Sequence, residues 1–293
     1  MDVSLYPGCS LNSIAREYGE SVRAVCKTLD VNLVELPDWT CCGSSSAHIT
    51  NDQLASALAA RNLQIAEEVG LDLVVPCAMC FSRLKFAEKE LLAGKKIEGI
   101  SRPYRGEITI KHLVDFFWED VGEEAIAARV KRPLEELNPV CYYGCLTVRP
   151  PTITDAPDPE NPQAMDGLVS ALGGNVRNWS FKTDCCGGSL SLTLPDLAHK
   201  MTQRILDMAF EAGADCISTG CPMCQDNLDN HQKEISKISG GEYDIPIFYF
   251  TELMGIAFDE SSIETWLGRH RTDPKPFLKR KDLLPTLEGK LQP

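Results

Sequence analysis

The sequence has no apolar run approaching the roughly 18 residues that a membrane span needs. Its opening residues, Met1-Asp2-Val3-Ser4-Leu5, lack the basic flank and long apolar stretch of a secretory leader. These absences lead us to expect a soluble, cytoplasmic protein. Positive charge is also short: 29 Lys and Arg against 42 Asp and Glu leave a formal net charge of -13, which repels phosphate backbones and disfavours nucleic acid as a partner. His48, His112, His199, His231 and His270 share no spacing, so a histidine metal site is not expected. What remains is a chain of 293 residues, 43% hydrophobic and 24% charged, long enough to bury the core of two units of ordinary domain size.

Cysteine is abundant and patterned. Ten of the 13 cysteines form two copies of one arrangement: Cys9, Cys41-Cys42-Gly43 and Cys77-x-x-Cys80, then Cys145, Cys185-Cys186-Gly187 and Cys221-x-x-Cys224. The gap from the cysteine pair to the C-x-x-C is 34 residues in both copies, whereas the gap leading into the pair is 31 in the first and 39 in the second. Around the thiols, Tyr6-Pro7-Gly8-Cys9 is echoed by Tyr142-Tyr143-Gly144-Cys145, and Cys77-Ala78-Met79-Cys80 by Cys221-Pro222-Met223-Cys224. The chain is therefore an internal duplication. Disulfides are rare in a reducing compartment, and an odd thiol count cannot pair fully, so the repeated thiols read as metal ligands.

Hydrophobic periodicity in the first half predicts strands at 3–6, 31–36, 71–75 and 108–110 and helices at 14–29, 54–69, 81–92 and 113–118. In the second half it predicts strands at 140–143, 175–178, 215–218 and 245–248 and helices at 165–172, 197–212, 223–238 and 252–258. Each half should be a small parallel α/β sheet flanked by helices, giving two pseudo-symmetric halves. All ten repeat cysteines follow predicted strands, so one cluster site per half belongs at the C-terminal strand edge. The expected boundaries are 1–130 for the first repeat, 131–258 for the second, and 259–293 for a C-terminal extension that docks a partner. Residues 119–138 join the halves, with a helical pattern inside. The eight extra residues of the second copy coincide with 149–162, a segment with five prolines that reads as a stiff loop. In 269–281, six basic residues face one acidic one, and Pro274 and Pro276 interrupt any helix, which suggests an extended arm.

Zinc takes four ligands in a closed tetrahedron, so five thiols per half do not fit it. Ordinary [4Fe-4S] and [2Fe-2S] centres take four thiolates. Five imply a bridging thiolate, a more open cluster, or one spare ligand, and ligand chemistry alone leaves these open. Gly43 and Gly187 permit the turn that lets adjacent cysteines face one centre, and they let backbone amides approach its sulfur. Cys26, Cys141 and Cys216 have no counterpart in the other repeat and read as small buried hydrophobes. Met79 and Met223 either pack on the clusters or fill core.

On these residues the chain resembles the CCG-domain (cysteine-rich domain) family, whose signature C-x(31–39)-C-C-G, about 34 residues, then C-x-x-C is present twice, over residues 1 to about 258. Within that family it resembles the B subunits of heterodisulfide reductases of methanogenic archaea. It lacks the ferredoxin-type C-x-x-C-x-x-C-x-x-x-C-P run that larger relatives carry in the same chain. The resemblance implies two noncubane [4Fe-4S] clusters, one on Cys9, Cys41, Cys42, Cys77 and Cys80 and one on Cys145, Cys185, Cys186, Cys221 and Cys224. It implies reduction of the coenzyme M–coenzyme B disulfide between them. The implied partners are the cubane [4Fe-4S] C subunit and the flavin-containing A subunit of such a reductase complex. A sulfonate and a phosphate on that substrate call for basic side chains, and Arg16, Arg83, Arg149 and Lys182 lie near the motifs. The family's wider use implies an alternative, an electron-relay subunit of a 2-hydroxy-acid oxidising or quinone-linked complex.

Overall fold

The computed structural model describes residues 1–44, 47–100 and 102–284. The first half is a four-stranded sheet of β1 (Asp2–Leu5), β2 (Asn32–Glu35), β3 (Leu73–Val75) and β4 (Ile110–His112), all parallel, in the order β2-β1-β3-β4. The second is a parallel three-stranded sheet, β5 (Pro139–Tyr142), β6 (Cys216–Thr219) and β7 (Ile247–Tyr249), in chain order. Helices cover both sheets, and for that reason β3, β5, β6 and β7 are buried along their whole length.

The helices form where an apolar stripe recurs at helical spacing. In Arg16–Thr28, Tyr18, Val22 and Val25 are buried while Lys27 stays outside. Asp52–Val69 starts at Asn51, whose side chain accepts the Leu54 amide at 3.0 Å, and stops at Gly70 with φ 71°. Its buried stripe is mostly alanine (Ala55, Ala59, Ala60, Ala66), which lets it lie close to the loop carrying Cys41 and Cys42.

Four differences from the sequence-based expectation have local causes. The strand expected at 175–178 does not form, although Asn175 and Arg177 donate to the carbonyls of Leu137 and Pro139 at 3.0 and 2.8 Å. The return bond of that ladder would need an amide on Pro139, which has none. The helix expected at 223–238 breaks at His231 into Pro222–Asn230 and Gln232–Ser239. The helix expected to start at 81 starts at Ala78, so Cys80 sits in its first turn.

The fourth is the basic segment 269–281, which is folded rather than extended. Pro274 and Pro276 stand at the start of the helix Lys275–Arg280, where a missing amide is harmless, and Phe277 and Leu278 are buried. Residues 285–293 of the expected extension lie outside the described residues.

One hydrophobic core is shared by the halves and holds Tyr18, Val22, Leu113, Phe117, Leu168, Phe248 and Phe250. Two smaller cores lie under the two cysteine sets. Across the shared core, the helix Arg16–Thr28 packs on the helix Phe250–Phe258, with the Tyr18 and Tyr249 rings stacked 4.0 Å apart and Ser21 and Thr251 hydroxyls 2.7 Å apart. The proline-rich loop also crosses between halves. Its short helix Pro151–Thr154 lies on Ala78–Leu92, and Asp155 pairs with Lys85 at 3.1 Å and Lys89 at 2.5 Å.

Candidate metal centre

In the first sheet the strand order reverses between β1 and β3, and ligands of open α/β sheets gather beyond the strand ends at such a point. Cys9 follows β1 and Cys77 follows β3, so the two flank that crevice; Cys145 after β5 and Cys221 after β6 likewise follow two neighbouring parallel strands, although the strand order does not reverse there. Cys77 and Cys221 are the residues before helices Ala78–Leu92 and Pro222–Asn230, where unpaired backbone amides and the positive helix end face the sulfurs.

The loops bearing the cysteine pairs are held the same way in both halves. Tyr6 donates to the Thr40 carbonyl at 2.6 Å, and Tyr142 to the Asp184 carbonyl at 2.5 Å, each the residue just before the pair. Gly43 and Gly187 have φ of 79° and 81°, and their amides lie 3.4 Å from the sulfurs of Cys41 and Cys185. A Cβ on either glycine would sit 3.0 Å from the Cα of Ala55 or Ala198. Gly8 and Gly144, with φ of 63° and 72°, let the chain pass the C-x-x-C, since a Cβ there would lie 3.2 Å from Cys80 Sγ and 2.8 Å from Cys224 Sγ.

The thiols come together within each half. Cys42 and Cys80 sulfurs are 3.2 Å apart, and Cys186 and Cys224 sulfurs 3.9 Å apart. Hydrogen bonding to Cys42 and burial push the Cys80 thiol well up, and Cys186 does the same to Cys224. Thiols so crowded ionise together only beside a multivalent cation, so the donor sets fit an iron-sulfur centre. Among the described residues no group of three or more His, Cys, Asp or Glu is drawn to a single-ion site. Cys9, Cys41 and Cys185 are exposed and Cys145 half-buried, so each set is buried on one side and open on the other.

The two sets also meet. The Cys77 and Cys221 thiols lie near enough across the boundary between halves for each to shift the other's ionisation, Cys77 upward and Cys221 downward, and the Ala78 amide favours the Cys221 thiolate. Tyr18 sits under that seam, its hydroxyl 3.0 Å from the Gly220 carbonyl and 3.4 Å from that of Pro76. His112 is buried beside it; its Nδ1 accepts the Val114 amide at 3.4 Å, and burial lowers its pKa to about 4.

Arg16 is exposed at the start of its helix and Arg83 half-buried about one turn beyond Cys80; neither has an ion-pair partner among the described residues. Arg149 pairs with Glu160 and reaches the Thr183 carbonyl at 3.4 Å. Lys182 is 2% exposed, and its ammonium is bound by Asp166 at 2.8 Å and the Pro162 carbonyl at 3.1 Å. Cys26, Cys141 and Cys216 are buried in the shared core as expected, and burial pushes the Cys26 thiol up to about 12. Met79 and Met223 pack against the cores below the thiols. Sequence reasoning did not single out Tyr6, Tyr142 or Tyr18; the first two carried a signal in the repeated Tyr-x-Gly-Cys.

The profile described as "Cysteine-rich domain", CCG, matches residues 3–85 and again 140–229. The chain belongs to the CCG cysteine-rich domain family. Members similar to it include the 8-methylmenaquinol:fumarate reductase membrane anchor subunit of Wolinella succinogenes, 31% identical over 93% of this chain and 97% of that one. The B subunit of the ferredoxin:CoB-CoM heterodisulfide reductase of Methanosarcina mazei is 26% identical over 95% of this chain and 96% of its own length. A crystal structure of a hypothetical protein from Helicobacter pylori superposes with a TM-score of 0.70 at 13% identity, over 93% of this chain and 52% of that one, so this chain spans about half its length. Relatives of this CCG protein are thus iron-sulfur and oxidoreductase subunits, and among its described residues no helix is long and apolar enough to cross a membrane.

Proposed function

We propose that this chain is the catalytic subunit of a heterodisulfide-type reductase that reduces the coenzyme M–coenzyme B disulfide to two thiols. The approach of Cys77 to Cys221, with the Tyr18 hydroxyl bonded to the carbonyls of Pro76 and Gly220 just before them, carries the reading, because it brings the two ligand sets to one seam. Cys9, Cys41, Cys42, Cys77 and Cys80 hold one noncubane [4Fe-4S] cluster and Cys145, Cys185, Cys186, Cys221 and Cys224 the other. When bound, such clusters pass electrons singly, so a pair beside one substrate supplies the two that a disulfide takes. Tyr6 and Tyr142 fix the cysteine-pair loops, and the amides of Gly43 and Gly187 donate to sulfur. Arg16 and Arg83, which have no ion-pair partner among the described residues, are available for the sulfonate and phosphate, with Arg149 and Lys182 as further candidates. The protein works in the cytoplasm with the cubane [4Fe-4S] C subunit and the flavin-containing A subunit of the reductase. Ile49 and Leu54 after the first cysteine pair, and Leu192 and Leu197 after the second, are large apolar side chains left exposed at matching positions, a surface suited to a partner. The segment 259–293 contributes to the same assembly.

A second reading, an electron relay in a quinone-linked complex, is favoured by the 31% identical relative. Anaerobic protein reduced by its donor separates the two. Consumption of the disulfide with a changed cluster EPR signal supports the first reading. An unchanged signal with disulfide, together with oxidation by a menaquinone analogue, rejects it in favour of the second.

A further inference from the structure

Behind the second cysteine set lies a polar cavity of about 60 Å³. It is lined by Glu17, Gln225, Asp229, Tyr249, Arg269 and His270 and reaches Pro222, next to Cys221. Several of these groups are engaged. His270 Nε2 lies 2.9 Å from Glu252 Oε1, Arg269 pairs with Glu20 at 2.8 Å, and Asp229 accepts the amides of Arg271 and Thr272. Two polar groups are not. Among the described residues, the Glu17 carboxylate bonds only its own backbone, and Gln225 Oε1 is buried without a partner. Glu17 is 8% exposed and Gln225 5%, so both lie largely out of bulk solvent, with the Gln225 oxygen fully enclosed. Buried polar atoms without a protein partner are satisfied by water, and a space of this size takes about two molecules.

Burial raises the Glu17 carboxyl above the usual range, its own backbone amide opposing; the Glu252 charge adds to the rise and His270 and Arg269 oppose it. The other charged or titratable groups around it are Tyr18 and Glu20 on its own helix, Asp226 and Asp229 on Pro222–Asn230, and Tyr249 ahead of Phe250–Phe258. The cavity connects to the seam through aromatic rings: Tyr249 stacks on Tyr18, whose hydroxyl bonds the carbonyl of Gly220 beside Cys221.

We propose that this cavity is a proton-loading site, in which Glu17 takes a proton from solvent as an electron reaches the second cysteine set and yields it when that electron moves to the acceptor. The inference rests on the disulfide reading, where RSSR′ + 2e⁻ + 2H⁺ gives RSH + R′SH. The electrons come from a reduced iron-sulfur partner, and among the described residues Glu17 is the carboxylate lining this cavity that has no side-chain partner.

The test is a redox titration of the anaerobic protein with its clusters in place and no acceptor present, followed by EPR at a series of pH values from about the ordinary carboxyl value of 4.3 upward through neutrality. The potential of one cluster should fall as pH rises in the wild type. It should be flat in Glu17→Gln at unchanged iron content, and the slope should return in Glu17→Asp. A flat wild-type profile, or an unchanged slope in Glu17→Gln, overturns the proposal. Reduced-minus-oxidised infrared spectra of the wild type give a measure that needs no variant: a protonated-carboxyl band should grow on reduction, and its absence overturns the proposal as well. Because no acceptor is present, a missing slope leaves the disulfide reading standing, and missing disulfide turnover leaves the slope standing.

Discussion

Replacing Tyr142 with Phe should cost more than replacing Tyr6 with Phe, although the two tyrosines hold equivalent places. Both rings stay packed in the variants, so only the hydroxyl's bond is lost. Tyr6 shares the Thr40 carbonyl with Asn62, whose Nδ2 lies 3.0 Å from it, while Asn62 Oδ1 takes the Thr40 amide at 2.8 Å. Tyr6→Phe therefore leaves that carbonyl bonded and should cost about 0.5–1.5 kcal/mol. The Asp184 carbonyl has Tyr142 as its one donor among the described residues, so Tyr142→Phe leaves it bare, at about 1–3 kcal/mol. Adding Asn62→Ala to Tyr6→Phe strips Thr40 as well, and the pair should be non-additive by about 0.5–3 kcal/mol. Anaerobic urea denaturation of the iron-loaded protein measures all three, and iron retained after gel filtration reports the loop. Equal losses for the two single variants would refute the argument that the second donor matters.

Gly43→Ala and Gly187→Ala combine a left-handed backbone with a Cβ 3.0 Å from a helix Cα, and each should cost about 1–3 kcal/mol and lower bound iron in its own half. Gly144→Ala, with 2.8 Å to Cys224 Sγ, should lose more iron than Gly8→Ala, with 3.2 Å to Cys80 Sγ. Lys182→Met strands Asp166 in a buried site and should cost about 3–5 kcal/mol, whereas Arg23→Met, from an exposed pair with Glu35, should cost about 1 kcal/mol or less by thermal denaturation. His270 is raised to about 9: burial lowers it, and the charge and hydrogen bond of Glu252, with the charges of Asp229 and Glu17, together outweigh that. A raised histidine stabilises fully below its unfolded value near 6.5 and loses that contribution as pH climbs through 9, so about 3 kcal/mol should vanish over that window and be absent in His270→Phe.

Much of this architecture was legible from spacing. A constant gap of 34 residues between the cysteine pair and the C-x-x-C demanded one geometry twice, and the two halves deliver it down to the same glycine turn. Apolar runs located the seven strands of the described residues, most plainly β3, β5, β6 and β7, which are buried along their whole length and leave little else to read. The missing eighth failed on a single proline in its neighbour, a partner effect that no pattern within 175–178 records. The basic segment misled because prolines were read as helix breakers when they occupy a helix start. The seam was out of reach for a different reason: Tyr18 touches Gly220 across 202 residues, and one chain's periodicity holds no information about such pairings.

The proline-rich loop has a consequence for how the protein is assembled. It belongs to the second repeat, yet Asp155 pairs with Lys85 and Lys89 on the helix that follows Cys77 of the first. The earlier-synthesised half thus waits for the later one before its ligand-bearing helix is clamped. Maturation should be ordered accordingly, with neither repeat able to mature fully as a severed fragment.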